Sequence, residues 1–419
     1  MSNLRLALDI ALTHLLAKKR QTLVAMMGVT FGISMFIVMI SFMQGVNQFT
    51  LDLALDGSPH VRIYNPVKNN RQSILEQQNP DPDAMYIVHH QKPKNELPKL
   101  KNGMRMLREL EQWPGVQQAA PNLSTQVFYN SGAVQFAGSM IGCDILKENV
   151  MYDLENKMVE GNLEGLLTNT DGILLGDELA EKMNVKVGDR ISISTPQGSL
   201  LLMRVVGTFS FGFSAVDGSR SYATLASVQK ILQKDPQYIT DLVIRLDDYT
   251  QAKALGKTLT NIYGYTAEDW ETTNAAILAG EVIRNVMTFV ISLAMLVVAG
   301  FGIYNIMNMS IINKLKDIAI LKATGFESGN IVRIFLLQSL IIGVLGGLLG
   351  LVFGGFFSYL ISVTPFPSGT GFNIKTFPVL FEPKFYALGL VFGFLTTLFA
   401  GWFPARRASK VDPVEIIRG

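Results

Sequence analysis

The feature of this sequence that most constrains its fold is a set of four long runs without any Asp, Glu, Lys or Arg. The runs cover residues 21–51, 285–313, 334–374 and 385–405. A helix needs roughly 20 apolar residues to cross the hydrocarbon core of a bilayer, and all four runs reach that length. One such run could be a buried helix of a large soluble protein, but four of them predict four transmembrane helices. Charged residues make up 17% of the chain, against about 25% in soluble domains, which agrees with this prediction.

Basic residues beside the runs predict the side of the membrane on which each segment lies, because Lys and Arg collect in cytoplasmic segments. Three segments carry four basic residues each: Arg5, Lys18, Lys19 and Arg20; Lys314, Lys316, Lys322 and Arg333; and Arg406, Arg407, Lys410 and Arg418. The segment between the third and fourth runs carries only Lys375 and Lys384. We therefore predict that both termini and the middle segment are cytoplasmic, and that the long segment after the first run is extracytoplasmic.

The predicted fold class is a membrane α-helical protein, with one transmembrane helix before and three after a large extracytoplasmic α+β domain. The transmembrane helices are placed at 21–47, 280–310, 329–362 and 384–404, and the α+β domain at 48–279. A cytoplasmic helix lying in the membrane interface is expected at 1–20, with a plain cytoplasmic start as the alternative. A cytoplasmic helix at 311–328, an extracytoplasmic loop at 363–383 and a cytoplasmic tail at 405–419 complete the predicted organisation.

The extracytoplasmic segment consists of short alternating or β-branched stretches bounded by Gly, Asn, Asp or Pro, which is typical of strands. Strands are predicted at 61–64, 125–129, 134–142, 172–175, 190–194, 200–209 and 242–246, and helices at 104–112, 178–184, 225–232 and 250–262. Residues 66–98 are rich in Asn, Gln, Pro and Lys and predict a long exposed loop. The mixture of strands and helices favours an α+β domain.

No group of residues in this domain predicts catalysis. Asp177–Glu178 and Glu268–Asp269 are acidic pairs for which we expect helix-capping or solvent-facing roles. His89–His90 would suit a metal, but a solvated loop is the simpler interpretation, and Cys143 is interpreted as a small core residue. Because the chain has a single cysteine, it has neither an intrachain disulfide framework nor a multi-cysteine metal site.

Nucleic-acid and nucleotide binding are not predicted either. A net charge of +2 gives little electrostatic attraction for nucleic acid. The stretch most similar to a nucleotide-binding loop is Gly369–Thr376, but Ile374 stands where such a loop requires Gly before its Lys. We therefore expect this chain to bind no metal, cofactor or ATP by itself.

Four stretches carry a resemblance to a known family: residues 313–325 after the second run, 402–417 near the carboxyl end, 172–189, and Asp269–Trp270. With the one-plus-three order of spans, they resemble the permease subunits of the FtsX/MacB-like ABC transporter superfamily, and among these the lipoprotein-releasing (LolCE-type) permeases. The resemblance implies a multi-pass protein of the bacterial inner membrane with its large domain in the periplasm. It also implies that ATP hydrolysis by a separate ATPase, which binds ATP and Mg, is coupled to the release of lipoproteins.

The partners implied by the resemblance are two ABC ATPase subunits, a second permease copy or homologous permease, membrane lipids, and a lipoprotein with its periplasmic carrier. A MacB-like mechanotransmission or export permease for peptides, antibiotics or toxins is the alternative. In the family, the subunit that captures the carrier has a hook-like insertion, whereas Ile193–Leu200 turns tightly here and has no room for one. A membrane-anchored binding or scaffold protein would explain the large domain but not the charged segment after the second run.

Three groups of residues are candidate functional sites. The resemblance implies an ATPase-coupling role, against the alternative of a charged loop at the membrane, for Lys314, Lys316, Asp317, Ile318, Lys322 and Gly325. Small residues spaced by four predict close packing of helices, between two permeases or within the chain, at Gly346, Gly350 and Gly354. A wall for acyl chains, or ordinary lipid-facing packing, is the interpretation of Met35, Met39, Phe42 and Met43.

Overall fold

The structure is a computed structural model that describes residues 2–66, 98–131, 134–196, 198–367, 371–372, 374–410 and 412. The chain forms two compact units. The helical unit comprises Met1–Thr50, Ala279–Phe366 and Ile374–Gly419, and the α+β unit comprises Leu51–Leu278 and Pro367–Asn373. Apart from Pro66 and Pro98, the predicted loop at 66–98 lies outside the described residues, and so does His89–His90.

The helices and strands are numbered in chain order. The helices are α1 (Ser2–Ala17), α2 (Lys19–Gly57), α3 (Gly103–Leu110), α4 (Ile145–Tyr152), α5 (Glu164–Thr168), α6 (Asp177–Met183), α7 (Ser214–Asp217), α8 (Leu225–Ile231), α9 (Ala252–Tyr263), α10 (Trp270–Thr273), α11 (Ala275–Asn313), α12 (Leu315–Ala323), α13 (Ser328–Val363) and α14 (Pro383–Ser409). The strands are β1 (Val61–Tyr64), β2 (Val116–Ser131), β3 (Val134–Cys143), β4 (Met158–Gly161), β5 (Gly172–Gly176), β6 (Arg190–Ser194), β7 (Leu200–Phe209), β8 (Arg220–Thr224), β9 (Asp241–Leu246) and β10 (Thr266–Asp269).

Four helices of the described chain, α2, α11, α13 and α14, are long and apolar enough to cross a membrane, which confirms the number predicted from the charge-free runs. Each of them begins before its charge-free run does, because a helix end depends on local backbone chemistry rather than on hydropathy. α2 ends at Gly57, two residues before Pro59, and Pro commonly follows a helix end because it cannot continue the helix. α14 begins with Pro383, at a position where the missing N–H would have had no partner within the helix.

The core of the helical unit draws side chains from all four long helices and from α12. Members of this buried cluster include Ile33 on α2, Ile303 on α11, Ile318 on α12, Ile342 on α13 and Ala405 on α14. A separate cluster joins α1 to α13 through Ala7, Ala11 and Ile334. Since residues four apart share a helical face, the two alanines let α1 lie close along α13.

The α+β unit is built on a mixed sheet of ten strands in the order β10-β1-β9-β2-β3-β8-β5-β7-β4, with β6 pairing with both β2 and β7. The β3–β8 and β5–β7 pairs are parallel, whereas the hairpins β2–β3 and β6–β7 are antiparallel. All five residues of β5 are buried, as expected of a strand covered on both faces. The sheet with its covering helices confirms the predicted α+β class.

Strand β2 is much longer than the strand predicted at 125–129, and the reason is the placement of Pro121. Residues 116–122 pair with β9, whereas residues 123–131 pair with β3. At Pro121, β2 pairs with β9, and its pairing with β3 begins only two residues later. The missing N–H of Pro121 therefore costs no hydrogen bond to β3. The sequence-based prediction also missed β4, β8 and β10, which have only four, five and four residues.

Candidate functional site: the charged short helix and the membrane helices

The short helix α12 lies between the membrane-spanning helices α11 and α13 in the chain and carries the predicted coupling residues. Ile318 and Ala319 are buried, with 1% and 0% exposure, so this face of the helix packs into the core of the helical unit. Lys316 and Asp317 are exposed, and Lys314 Nζ lies 2.7 Å from Asp317 Oδ2. The helix therefore has an apolar face held in the core and a mixed-charge face open to a partner.

Gly325 ends α12. Its φ is +100°, a left-handed backbone conformation that favours glycine. The Gly325 amide donates to the Lys322 carbonyl and the Phe326 amide donates to the Leu321 carbonyl, both at 3.1 Å. These two bonds form a Schellman motif, which satisfies carbonyls at the helix end and fixes the direction in which the chain leaves the helix.

The last residue of α14 accepts hydrogen bonds from both sides of the turn after α12. Lys322 Nζ and Ser328 Oγ each donate to the Ser409 carbonyl oxygen, at 3.0 Å in both cases. Carbonyls in the last turn of a helix have no partner within it, and a cation there also interacts favourably with the helix dipole. These three residues, which we call the Ser409 joint, link α12 directly to the third and fourth membrane-spanning helices. The sequence analysis missed Ser328 and Ser409, because a backbone acceptor leaves no signal in residue type.

The three spaced glycines of α13 lie against α2 of the same chain. Thr30 Oγ1 on α2 donates to the Gly346 carbonyl at 3.1 Å, a bond that requires the two backbones to be close. A Cβ placed on each glycine would crowd the Cβ of a residue on α2, at 2.8 Å for Gly346 and Val29, 2.9 Å for Gly350 and Ile33, and 3.0 Å for Gly354 and Ile37. The sequence left open whether these glycines pack between two permeases or within the chain. The contacts described here are within the chain.

Glycines on α14 extend this packing, and the sequence analysis did not identify them. A Cβ on Gly393 would approach Ile33 Cδ1 to 2.2 Å, and one on Gly401 would approach Ser339 Oγ to 2.3 Å. The signal that could have found them is the spacing of Gly389, Gly393 and Gly401, which are separated by multiples of four residues. We call the packed faces of α2, α13 and α14 the glycine seam.

The predicted wall for acyl chains lies on α2 but borders neither of the two cavities described next. Met35, Met39, Phe42 and Met43 are all half-buried, and the Phe42 ring lies 6.1 Å from that of Phe377. Two of the cavities beside α2, of about 360 and 230 Å³, are lined by other residues of that helix. The role of the methionine wall stays a prediction.

A polar cluster joins α2 to α11 and borders the smaller of these cavities. Arg284 donates from Nε to Asn47 Oδ1 at 2.8 Å and from Nη2 to Thr50 Oγ1 at 3.2 Å. Asn47 Nδ2 in turn donates to Asn285 Oδ1 at 2.8 Å, and Gln44 Nε2 donates to the same oxygen at 3.4 Å. The cluster thus satisfies a cation and three amides at one end of two apolar helices.

The smaller cavity combines this polar end with an apolar lining. Gln44 and Asn285 line it, together with Phe36, Ile40 and Phe392 among other apolar residues. Such an arrangement suits a ligand with a polar head and an acyl tail, because the head can hydrogen-bond to amides while the tail contacts rings and aliphatic side chains. We call it the α2–α11 cavity.

The acidic pairs and the cysteine of the α+β unit have the roles expected from the sequence. Asp269 caps α10, its side chain accepting the Thr272 amide at 3.0 Å. Asp177 and Glu178 lie in the first turn of α6, where carboxylates interact favourably with the helix dipole. Cys143 is a free, buried thiol. Across the described ranges, no three residues among His, Cys, Asp and Glu are grouped so that they could hold a metal ion.

The turn between β6 and β7 is short, as the sequence predicted. The Thr195 amide donates to the Ser199 carbonyl at 3.0 Å, and the Gly198 amide donates to the Thr195 carbonyl at 2.9 Å. Residue 197 lies outside the described residues, as do 369, 370 and 373 of the stretch Gly369–Thr376 and most of the tail after residue 410. Since the connection from Ser194 to Leu200 is this short, the hairpin carries no hook-like insertion.

Comparison with known proteins identifies the class. Residues 22–262 match the family described as MacB-like periplasmic core domain, and residues 289–413 match the family described as FtsX-like permease C-terminal. The first match alone covers more than half of the chain. The chain therefore belongs to the FtsX/MacB-like ABC transporter permeases, which confirms the resemblance seen in its motifs, and it is a transmembrane transporter subunit.

Individual relatives are similar over nearly the whole chain. The lipoprotein-releasing system transmembrane protein LolC of Neisseria meningitidis serogroup B is 27% identical over 439 residues, covering 98% of each chain. The uncharacterized ABC transporter permease YknZ of Bacillus subtilis is 24% identical over 434 residues, covering 100% of this chain and 99% of its own. Among solved structures, the periplasmic region of MacB from Actinobacillus actinomycetemcomitans matches 52% of this chain and 91% of its own, with 16% identity and a TM-score of 0.33.

Proposed function

We propose that this permease subunit couples ATP hydrolysis by a separate ATPase to the release of lipoproteins from the inner membrane of a bacterium. The observation that carries the coupling half of the proposal is the Ser409 joint. It connects α12, the helix with an exposed mixed-charge face, to two membrane-spanning helices through one carbonyl oxygen. A displacement of α12 would therefore pull on the beginning of α13 and the end of α14 together.

In this proposal α12 is the coupling helix that docks on the ATPase. Lys316 and Asp317 would contact the partner because they are exposed, whereas Ile318 and Ala319 would anchor the helix to the core. Two ATPase subunits, which bind ATP and Mg, would serve a pair of permeases formed with a second copy or a homologous chain. This chain supplies the docking helix and the spans and binds no cofactor of its own.

The substrate half of the proposal is supported by the relatives and by the α2–α11 cavity. LolC proteins from three bacterial species are similar to this chain over most of its length. A lipoprotein carries acyl chains next to a polar peptide backbone, and the cavity pairs an apolar lining with the amides of Gln44 and Asn285. Membrane lipids have the same two parts, so they would occupy the cavity when no lipoprotein is bound.

The α+β unit would lie in the periplasm and receive the lipoprotein there. The short β6–β7 turn, without a hook, fits the subunit that does not capture the periplasmic carrier itself. The same turn favours the second candidate function, a MacB-like export permease for peptides, antibiotics or toxins. That candidate needs no carrier, and the α+β unit belongs to the MacB-like family.

Reconstitution with copurified partners tests the proposal. The chain is purified in mild detergent, the copurifying ATPase and permease are identified by mass spectrometry, and the complex is placed in liposomes with a triacylated lipoprotein. ATP-dependent transfer of the lipoprotein to a soluble carrier supports release. ATP hydrolysis without transfer, together with export of a peptide into the liposome lumen, would support the MacB-like candidate instead.

A further inference from the structure

The α+β unit contains a polar cavity that has no part in the proposed function. Its volume is about 190 Å³, and it is lined by Arg62, Asn122, Glu148, Tyr152, Arg220 and Asp241 among other residues. These residues come from β1, β2, α4, β8 and β9, so the fold brings together groups that are far apart in the sequence. About 10–15 Å³ of such volume holds one water molecule, so a single water would not fill the cavity.

Two buried oxygen atoms of residues that line this cavity lack a hydrogen-bond donor. Asn122 Nδ2 donates to Glu148 Oε1 at 2.5 Å, but Asn122 Oδ1 and Glu148 Oε2 have no partner among the described residues. Both side chains are buried, with 6% and 0% exposure. Buried polar groups nearly always have a partner in native proteins, so these two acceptors require a donor, which is either a proton on the Glu148 carboxyl or a bound ligand.

The same cavity holds a guanidinium group that forms no ion pair with a described carboxylate, although its charge acts on the nearby Glu148. Arg62 pairs with Asp241, its Nε lying 2.6 Å from Asp241 Oδ1. Arg220 instead donates from Nη1 to the Gly57 carbonyl at 3.3 Å and to the Tyr222 hydroxyl at 3.4 Å, and no described carboxylate forms an ion pair with it. The guanidinium therefore keeps donors available for an anion, and Arg is well suited to phosphate or carboxylate.

We propose that this cavity binds a zwitterionic group in which a primary ammonium stands close to an acidic group, as in phosphoethanolamine. The ammonium would donate to Glu148 Oε2 and Asn122 Oδ1, the two acceptors that lack a donor. The acidic group would accept hydrogen bonds from Arg220. Free phosphoethanolamine and the headgroup of a phospholipid share this chemistry. The proposal concerns a site in the α+β unit and does not depend on coupling to an ATPase.

Binding at this site is linked to a proton on Glu148. Burial raises the pKa of the Glu148 carboxyl to about 7, although the hydrogen bond from Asn122 and the charge of Arg220 oppose that shift. Other ionisable groups face this carboxyl or share its cavity: Cys143 and Asp144 before α4, Tyr152 on α4, Tyr222 on β8, Arg62 on β1 and Asp241 on β9. Without ligand, a proton on Oε2 can point at Asn122 Oδ1 and satisfy both oxygens. The ligand ammonium would displace that proton.

Calorimetric titration tests the site on the full chain in nanodiscs of phosphatidylcholine, with O-phosphoethanolamine as the probe. We expect binding, and at least about tenfold weaker binding of ethanolamine and of inorganic phosphate, since each lacks one charge-assisted interaction. Phosphocholine should also bind at least about tenfold more weakly, because its quaternary ammonium has no N–H to donate. Titration in two buffers of different ionisation enthalpy should show that binding releases protons, and that the release is larger at pH 7 than at pH 8.

Variants separate this site from a cavity that holds only water. Glu148→Gln and Arg220→Gln should each weaken phosphoethanolamine binding at least about tenfold, and Glu148→Gln should also abolish the proton release. Lys147→Gln is the matched control, because Lys147 neighbours Glu148 in α4 but pairs with Glu111 outside the cavity. Should either variant fail to fold, the proton count of the unaltered protein still decides.

Nanodiscs that contain phosphatidylethanolamine distinguish the source of the ligand. A headgroup that enters the cavity would compete with the soluble probe and weaken its apparent binding, whereas unchanged binding would point to a free small molecule. Either result is compatible with the site. The proposal is overturned if phosphoethanolamine does not bind at millimolar concentration, or if ethanolamine or inorganic phosphate binds with equal affinity. It is also overturned if the Glu148→Gln variant binds phosphoethanolamine like the unaltered chain.

Discussion

At the scale of single residues, two buried ionisable groups of the α+β unit respond to pH in opposite directions. Burial, with the nearby charge of Arg245, lowers the pKa of His60 to about 4, and its Nδ1 accepts the Leu246 amide at 3.0 Å. Burial raises the pKa of Glu148 to about 7. Because folded His60 binds a proton less readily than unfolded His60, its contribution to the free energy of unfolding rises as pH increases from about 4 to 6.5, the ordinary pKa of histidine. Because the folded Glu148 keeps its proton, its contribution is lost as pH rises through about 7.

We expect Glu148 to lower the stability of the α+β unit between pH 6.5 and pH 8, while His60 offsets part of this loss because its unfolded form still releases protons in that window. The contribution of Glu148 to this loss is on the order of 1 kcal/mol in free energy of unfolding, and Glu148→Gln should remove it. Thermal unfolding followed by the fluorescence of Trp113 and Trp270, both in this unit, measures the effect. Equal pH slopes for the variant and the unaltered chain would show that Glu148 does not titrate there.

Asp317→Arg should uncouple the permease from its ATPase without preventing membrane insertion. The substitution removes the 2.7 Å contact with Lys314 and adds a fourth cation to Lys314, Lys316 and Lys322, so like charges would crowd the docking face. Stimulated ATP hydrolysis by the reconstituted complex should fall. Glu327→Arg is the control, because it makes the same change of charge at an exposed position outside α12. Equal activity of both variants would exclude α12 as the contact.

Met39→Asp tests the predicted wall for acyl chains on α2. A carboxylate there would remove apolar contact from an acyl chain, so lipoprotein release should fail while ATP hydrolysis continues. A charge at the centre of a transmembrane helix costs roughly 2.5–3.5 kcal/mol for insertion, so the membrane abundance of each variant is measured as well. Val38→Asp, about 100° round the helix, is the control. If Met39→Asp releases lipoproteins normally, or if Val38→Asp fails equally, these residues form ordinary lipid-facing packing and not a wall for acyl chains.

At the scale of elements, the glycine seam shows how side-chain size sets the distance between membrane helices. Lipid tails are as apolar as leucine, so helices in a bilayer associate through close packing and hydrogen bonds rather than through the hydrophobic effect. Gly346, Gly350 and Gly354 allow that closeness, and the bond from Thr30 to the Gly346 carbonyl depends on it. One added methyl group on this face should therefore destabilise the helical unit more than a methyl group on the neighbouring face of the same helix.

Gly350→Ala should destabilise the helical unit, whereas Gly347→Ala should not. A Cβ at Gly350 would lie 2.9 Å from Ile33 Cβ, which cannot move without its backbone, whereas the nearest atom to a Cβ at Gly347 is 3.6 Å away. Overpacking of this kind costs about 1–3 kcal/mol, which exceeds the roughly 1 kcal/mol that alanine gains over glycine in a helix. Thermal inactivation in detergent compares the two variants, and equal stability would show that the seam can expand.

At the scale of the whole molecule, the orientation in the membrane can be tested by cysteine labelling. We expect Lys257→Cys, on α9 of the α+β unit, to react with an impermeant thiol reagent from outside the inner membrane. Gly329→Cys, at the start of α13 and with open space around its Cβ, should not react. The native Cys143 is buried and should not be labelled in either variant. Equal labelling of the two positions would overturn the four-span orientation.

The sequence predicted those parts of the molecule whose signal is local. Charge-free runs revealed the four spans, and the four-residue spacing revealed Gly346, Gly350 and Gly354. The Ser409 joint could not be predicted, because its acceptor is a backbone carbonyl that any residue type would supply. The contact between Asn122 and Glu148 was missed for a related reason, since only the packing of α4 against β2 brings the two side chains together. Strand β2 was predicted too short because the change of neighbour that tolerates Pro121 is a property of the sheet.

The geometry of the Ser409 joint has a mechanical consequence. A carbonyl oxygen has two lone pairs, and Lys322 and Ser328 together can fill both. Either donor could therefore withdraw while the other still holds the end of α14. In the proposed coupling to an ATPase, the joint would open in two steps through a half-released form, so a partial displacement of α12 could be reversed while one bond still holds the membrane helices.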